Sequence, residues 1–190
     1  MSGGDVPLTR LFVALTLPPE VEAHLDETVD GLRTAHEELR WIPSGRWHVT
    51  CEFLGECGPH EVERQLGRWE RRANRSRPLS LRLSGSGTFP AKAWMARVLW
   101  IGLAGDVEAW QQLAAYGQDA HVTIARTRQR HDLTGVVDEL AGYAGPSWLA
   151  EEVTVMSSIL NPGKSKGSKG GKGTRGPRYV PLATFPLGGP

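Results

Sequence analysis

The tripeptide His-Val-Thr occurs twice in this chain, at residues 48–50 and at residues 121–123. Both copies lie in runs of apolar and β-branched residues, which are typical of strands. Side chains alternate between the two faces of a strand, so the His and the Thr of each copy share one face while the Val points the other way. Two such strands, brought together, would line a groove with two imidazoles and two hydroxyls.

The segments around the two copies predict an α+β chain built from two similar halves. Strands are expected at 8–16, 47–54, 78–86, 93–103, 120–125, 150–160 and 178–185, where apolar and β-branched residues cluster or alternate. Helices are expected at 20–39, 59–73, 105–116 and 133–143, from helical spacing and helix-start signals. Because each half carries an HVT on a strand, the order indicates a diverged duplication.

Length and composition place the chain among globular proteins. Its 190 residues suffice for one domain, or for two small lobes that share a core, and a hydrophobic content of 39% argues against general disorder. The apolar run at 11–15 is too short for a membrane span or a signal peptide. Cys51 and Cys57 cannot form a four-thiolate zinc site and are expected to be reduced thiols. We therefore expect a soluble cytoplasmic protein, active as a monomer and without a membrane partner.

The net charge of +1 hides an uneven distribution. One Gly-rich segment, residues 161–178, has six basic residues and no acidic residue: Lys164, Lys166, Lys169, Lys172, Arg175 and Arg178. Removing these six from the 22 basic residues leaves 16 against 21 acidic residues, a net charge of −5. The body of the chain therefore predicts no broad nucleic-acid surface, whereas this flexible basic loop can attract phosphates locally.

A pair of histidines with a pair of threonines suits the cleavage of a phosphodiester. The reaction needs a base that takes a proton from water and an acid that protonates the leaving oxygen, and histidine can do either near neutral pH. Threonine hydroxyls can donate to the negatively charged non-bridging oxygens. This scheme requires neither a metal nor a cofactor. An alternative stays open at this point, in which both histidines are half-buried structural residues.

Four stretches around the motifs carry a family resemblance: RLFVALTLPPEV (10–21), RWIPSGRWHVTCEFLGE (40–56), TFPAKAWMARVLWIGL (88–103) and AHVTIAR (120–126). They resemble the two-histidine (2H) phosphoesterases, specifically the bacterial RNA 2',3'-cyclic phosphodiesterases that are also called 2'-5' RNA ligases. The resemblance implies one α+β domain over residues 1–190. Its two pseudo-symmetric lobes of antiparallel sheet, flanked by helices, would each contribute an HxT strand to a central cleft.

The resemblance also implies an activity, namely the opening of RNA 2',3'-cyclic phosphate ends, or of small cyclic nucleotides, to 2'-phosphomonoesters without a metal or cofactor. His48 and His121 would be the acid–base pair, and Thr50 and Thr123 would hold the phosphate. Arg126 would also reach the phosphate, although a solvated strand-end arginine is the alternative. Phe12 would stack on a base, although a core position is equally compatible with it.

The chain departs from the family pattern at several points. Glu52 stands where relatives often have Arg, and simple strand alternation puts it on the face of His48. Ala120 replaces a common Pro before the second histidine, and the stretch between Trp110 and His121 is short. These departures concern the substrate range more than the fold.

Other functions remain compatible with the sequence. The same cleft could cleave or join 2',5'-phosphodiesters. The basic loop and Glu52 are also compatible with a non-catalytic RNA-binding module. A two-histidine metallohydrolase is least favoured, because no carboxylate lies at a recognisable ligand spacing.

Overall fold

A computed structural model describes residues 8–159 and 176–188. The predicted basic loop at 161–178 lies outside these ranges except for its last three residues. The described chain forms β1 (Thr9–Thr16), α1 (Pro19–Ala35), β2 (Arg40–Trp41), β3 (His48–Cys57), α2 (Pro59–Asn74), β4 (Leu79–Phe89), β5 (Ala96–Gly105), α3 (Val107–Leu113), β6 (His121–His131), α4 (Thr134–Leu140), β7 (Ala144–Ala150), β8 (Glu152–Ile159) and β9 (Arg178–Pro186).

The strands form two antiparallel sheets, each of which contains one HVT strand. The first sheet has the order β3-β1-β8-β9, and the second has the order β2-β6-β5-β4-β7. The HVT strands β3 and β6 pair with β1 and β5, and they contact each other across the two sheets. The expected α+β architecture of two antiparallel sheets with helices is therefore confirmed.

The helices interlock the two sheets. Helix α1 begins with Pro19 in its first turn, where a missing N–H costs nothing. It buries Val21, Leu25, Val29 and Leu32, which form one apolar stripe. Although α1 directly follows β1 of the first sheet, it packs against β7 of the second sheet, whereas α2 packs against β9 and β3 of the first. None of the helices in the described ranges combines the length and apolar content needed to cross a bilayer.

The two faces of the first sheet have different roles. The odd-numbered residues of β1, such as Leu11 and Val13, belong to the main core between the sheets and helices. On the opposite face, Phe12 and Ala14 form a separate small cluster with Met156, against which Tyr179 packs. This opposite face is the one that carries His48 and Thr50, because His48 is paired with Thr16 and Thr50 with Ala14.

Two strands were not predicted. Strand β7 contains Gly145 and Pro146, both of which weaken a strand pattern. It lies at the edge of the second sheet, where a proline is tolerated because no neighbour needs its N–H. Strand β2 has two residues and no pattern to detect. The predicted pairing of the closing strands is confirmed, since β8 and β9 are antiparallel neighbours.

Candidate active site

The two HVT histidines are held in the same way. Nδ1 of His48 lies 2.8 Å from the carbonyl oxygen of Arg46, and Nδ1 of His121 lies 2.8 Å from the carbonyl oxygen of Asp119. In both cases the acceptor is two residues before the histidine. A carbonyl can only accept, so Nδ1 carries the proton and Nε2 of the neutral ring keeps its lone pair. Each imidazole can therefore receive or return a proton through Nε2.

Each imidazole also lies against two aromatic rings. The centroid of the His48 ring is 4.9 Å from that of Phe12 and 5.3 Å from that of Tyr179. The ring of His121 is 4.9 Å from Phe89 and 6.2 Å from Trp100. These rings fix the orientation of the imidazoles and exclude solvent from part of each imidazole surface.

The site favours neutral imidazoles. Burial lowers the pKa of His48 below its usual value, and the nearby charges of His121, Arg126 and Arg46 lower it further, against the hydrogen bond to the Arg46 carbonyl. Burial also lowers the pKa of His121, opposed by the carbonyl and the carboxylate of Asp119, and Arg126 lowers it again. Arg126 thus acts on both histidines, so the fold brings these three predicted residues together.

The two predicted threonines lie on the histidine-bearing faces of their strands. Thr50 is buried beside Ala14, and the half-buried Thr123 is paired with Trp100. Within residues 8–159 and 176–188, neither threonine hydroxyl makes a hydrogen bond. Both can therefore donate to a ligand oxygen.

A β-bulge follows each motif directly. Ala14 is paired with Thr50 and Val13 with Glu52, so Cys51 has no partner on β1. In β6, Ile124 is likewise skipped between Thr123 and Ala125. An extra residue in one strand reverses the alternation of the side chains that follow.

The first bulge overturns the prediction for Glu52. Strict alternation placed Glu52 on the face of His48, but the extra residue Cys51 turns it to the opposite face. There its carboxylate accepts a hydrogen bond of 2.9 Å from Nε1 of the fully buried Trp69 and another from the guanidinium of Arg68, both on α2. Glu52 therefore joins β3 to α2 and does not replace a phosphate contact.

The second bulge puts Arg126 on the histidine-bearing face. Arg126 is paired with Val98, two residues along β5 from Trp100, which is itself paired with Thr123. Paired residues share a face, and so do residues two apart, so the exposed Arg126 side chain lies on the face of Thr123. Its effect on the pKa of both histidines agrees with this position.

The bulges also connect the two motifs reciprocally. The carbonyl of Cys51 accepts a hydrogen bond of 2.8 Å from the N–H of Ala115, and the carbonyl of Ile124 accepts one of 2.8 Å from the N–H of Ile42. Ala115 is the sixth residue before His121, and Ile42 is the sixth before His48. Each motif therefore anchors the segment that leads to the other one.

Phe12 and several residues that the sequence did not single out complete the site. The Phe12 ring is only 4% exposed beneath His48 and Tyr179, so it offers little surface to a base. The guanidinium of Arg46 lies 5.6 Å above the Tyr179 ring. Tyr179 could not be found from the sequence, because β9 reaches this face only through the sheet order. Arg46 stands two residues before His48, and its carbonyl matches that of Asp119, a parallel that only the structure reveals.

Comparisons with known proteins agree with this architecture. The family model described as LigT like Phosphoesterase matches residues 15–100. A protein of Methanothermobacter thermautotrophicus named RNA 2',3'-cyclic phosphodiesterase is 23% identical over an alignment 194 residues long. The alignment covers 94% of this chain and 98% of that protein. The crystal structure of a Thermus thermophilus protein has a TM-score of 0.72 at 25% identity, over 95% of this chain and 98% of that one. That of E. coli LigT complexed with NADP+ has a TM-score of 0.64 at 21% identity, over 96% and 99%.

Together these matches cover both HVT motifs. The family model contains the first motif, and the solved structures extend the same fold over β6 and the second motif. The family resemblance inferred from the motif stretches is confirmed, since the chain is similar to the LigT-like phosphoesterases over most of its length.

Proposed function

We propose that this phosphoesterase opens 2',3'-cyclic phosphates at RNA ends, or in small cyclic nucleotides, to give 2'-phosphomonoesters. The observation that carries the proposal is the matched pair of imidazoles, each with Nδ1–H bound to a backbone carbonyl and Nε2 left for proton transfer. A curated relative that shares most of the chain is named RNA 2',3'-cyclic phosphodiesterase, which supports this choice of substrate.

The proposed reaction needs two proton transfers and one bond exchange. One of His48 and His121 takes a proton from water as the oxygen attacks phosphorus, and the bond from phosphorus to the 3' oxygen breaks. The other histidine protonates that oxygen, which leaves the phosphate on the 2' oxygen. Thr50, Thr123 and Arg126 hold the non-bridging oxygens, whose negative charge they balance. Both protons travel through imidazoles, so the scheme uses no metal.

The test offers a 2',3'-cyclic nucleotide to the protein in the presence of EDTA. Turnover is expected to continue undiminished, with a 2'-phosphate as the product. His48→Ala and His121→Ala should each reduce turnover to background. Loss of turnover on chelation would contradict the metal-free reaction, and near-normal activity of either variant would contradict the paired acid–base roles.

The same assay separates the alternative functions. A 3'-phosphate product would mean that the bond from phosphorus to the 2' oxygen breaks, which contradicts the proposed reaction. Preferential turnover of 2',5'-linked dinucleotides would instead favour the alternative activity of the same cleft. The argument from Glu52 for a non-catalytic RNA-binding module no longer holds, because this carboxylate is bonded to α2. We further propose that the chain acts as a cytoplasmic monomer, in keeping with its two free thiols at Cys51 and Cys57 and with a site made within one chain.

A further inference from the structure

Two arginines lie directly opposite each other at the edge of the candidate site. Arg40 of β2 is paired with Arg126 of β6, and both side chains are exposed. Paired residues lie on the same face of a sheet, so the two guanidinium groups are neighbours, and like charges in such a pair destabilise it. An anion that binds between the two guanidinium groups would relieve this repulsion.

The positive charge continues along β6, away from the histidines. Between Arg126 and His131, β6 has the four residues 127–130 where the paired strand β5 has one. The additional residues extend beyond the ladder, and they include Arg128 and Arg130, which are both exposed. Arg40, Arg126, Arg128 and Arg130 together are called the arginine track below.

The track borders an open depression of about 660 Å³. The charged and titratable residues that line the depression are Glu38, Arg40, Arg128, Arg130 and His131. The carboxylate of Glu38, the only acidic group among them, lies 3.4 Å from Nδ1 of His36 and 3.7 Å from Nε2 of His131. Three guanidinium groups against one carboxylate leave a surplus of positive charge in the depression.

The four guanidinium groups of the track have no acidic partner. In the part of the chain that the structure describes, none of them forms an ion pair, whereas other arginines do, namely Arg33, Arg64, Arg68 and Arg77. Arg71 and Arg75 of α2 are also unpaired, but α2 binds Glu52 on the face opposite the histidines. The track differs from these because it begins in the site and follows one strand, as a binding surface for a polyanion would.

An exposed tryptophan lies near the far end of the track. Trp94 is 61% exposed, and Nζ of Lys92 lies 6.0 Å above its ring. The carbonyl of the neighbouring Ala93 accepts a hydrogen bond of 2.8 Å from the N–H of Leu133, two residues after His131. Basic side chains that follow a path, with an exposed aromatic ring beside them, are typical of surfaces that bind single-stranded nucleic acid.

The substrate proposed above is itself such a polyanion. An RNA strand whose cyclic phosphate lies at the histidines leaves the cleft with one further phosphate for each preceding nucleotide. Strand β6 leads out of the cleft with Arg126, Arg128 and Arg130 in succession. We propose that Arg40, Arg128 and Arg130 bind the phosphates of the nucleotides that precede the cyclic phosphate, so that an RNA strand is preferred to a mononucleotide. This inference rests on the proposed function.

The test compares two substrates that end in the same group. They are 2',3'-cyclic AMP and an RNA of about five nucleotides that ends in adenosine 2',3'-cyclic phosphate. Wild type should have the higher kcat/KM for the RNA. Arg128→Gln/Arg130→Gln should lower kcat/KM for the RNA by about 2- to 30-fold, the range of two exposed ion pairs, and leave kcat/KM for cyclic AMP unchanged. Arg40→Gln alone should act in the same direction.

Salt dependence gives a second measurement of the same contacts. For the RNA, log(kcat/KM) of wild type should fall as log[KCl] rises, and the slope should be less steep by about 1.4 in Arg128→Gln/Arg130→Gln, for two lost phosphate contacts. Arg71→Gln/Arg75→Gln removes the same charge from α2 and is the matched control. It should keep the kcat/KM and the salt slope of wild type on both substrates.

The outcomes separate this inference from the proposed function. An RNA that is turned over no better than cyclic AMP by wild type would overturn the inference. An equal loss on both substrates, or an equal loss in the α2 control, would also overturn it. If wild type turned over neither substrate, the hydrolytic function would fail. Binding of the same RNA with a terminal 2'-phosphate, measured by fluorescence anisotropy, would then decide the role of the track, since Arg128→Gln/Arg130→Gln must weaken it and the control must not.

Discussion

The backbone carbonyls of Arg46 and Asp119 determine how the two histidines can act. Each carbonyl fixes the proton of the neutral ring on Nδ1, and burial keeps the ring neutral at a lower pH than usual. The pKa of each histidine in the folded chain lies below its ordinary value of 6.5. The contribution of the two neutral rings to the free energy of unfolding is therefore complete above pH 6.5, and it is lost as the pH falls through the pKa of the folded state.

The lowered pKa values predict an acidic optimum. A base that must be neutral and an acid that must be protonated give a bell-shaped profile of kcat/KM, centred between the two free-enzyme pKa values. Because burial lowers the pKa of both His48 and His121, the maximum is expected below pH 6.5. Initial rates at low concentrations of 2',3'-cyclic AMP, measured between pH 4.5 and pH 8, will check this. A maximum above pH 7 would contradict it.

The carboxylate of Asp119 offers a way to assign the histidines. It raises the pKa of His121, so Asp119→Asn should lower that pKa and move one limb of the profile to lower pH. A shift of the alkaline limb would identify His121 as the acid, and a shift of the acidic limb would identify it as the base. Glu37→Gln removes an exposed carboxylate elsewhere and is the control. The assignment fails if neither limb moves and the NMR titration of His121 is unchanged.

The bulges are the elements that organise the site, because the carbonyl of each bulged residue holds the segment that leads to the other motif. Ala115→Pro removes the N–H that donates to the carbonyl of Cys51. Misplacement of His121 should lower kcat/KM by about 10- to 100-fold, because small displacements of catalytic groups are costly. Ala115→Ser retains the N–H and should behave like wild type. Full activity in a folded Ala115→Pro variant would show that this hydrogen bond does not position the site.

The contact between Glu52 and α2 predicts a loss of stability. Glu52→Ala leaves Nε1 of the buried Trp69 without its acceptor, which should lower the free energy of unfolding by about 1–3 kcal/mol. The ion pair with Arg68 is partly exposed and adds little. Glu56→Ala, at an exposed position of the same strand, should lose much less in urea unfolding. Equal stability of the two variants would show that Glu52 does not anchor α2.

Local patterns identified most elements but not the bulges. The shared face of His48 and Thr50, and that of His121 and Thr123, was predictable because two-residue alternation holds up to the threonine of each motif. The residues after the threonine carry no signal of an extra position, since the partners that define a bulge lie on β1 and β5. Glu52 was misplaced for this reason, as its true partner is on a helix. Local sequence therefore predicts strands well and predicts their irregularities poorly.

At the scale of the whole molecule, neither half of the chain forms a lobe alone. Strand β2 of the N-terminal half extends the second sheet, and β8 and β9 of the C-terminal half complete the first. The main core is continuous over both sheets. Helix order and the HVT strands indicated the duplication, but this exchange depends on long-range pairing that no local pattern reveals.

The exchange of strands predicts cooperative unfolding. Far-UV circular dichroism and the fluorescence of the seven tryptophans should follow one transition in urea with the same midpoint, because a lobe that opened alone would lose strands from the other. His121→Ala should show the same coincidence of probes. Separate midpoints, or a plateau between two transitions, would mean that the lobes unfold independently.

The extra residue after each threonine reverses the face of the sheet on which the next side chains lie. The histidine and the threonine precede it and keep the original alternation of faces. The residues that follow have the reversed alternation, as far as the next register shift, which comes after Phe53 in β3 and after Arg126 in β6. The two copies can then differ at a single downstream site while the HVT triplet is the same in both. Arg126 and Phe53 occupy that site. The two lobes therefore differ in character at this one position, with an aromatic ring in the first and a cation in the second, although their triplets are identical.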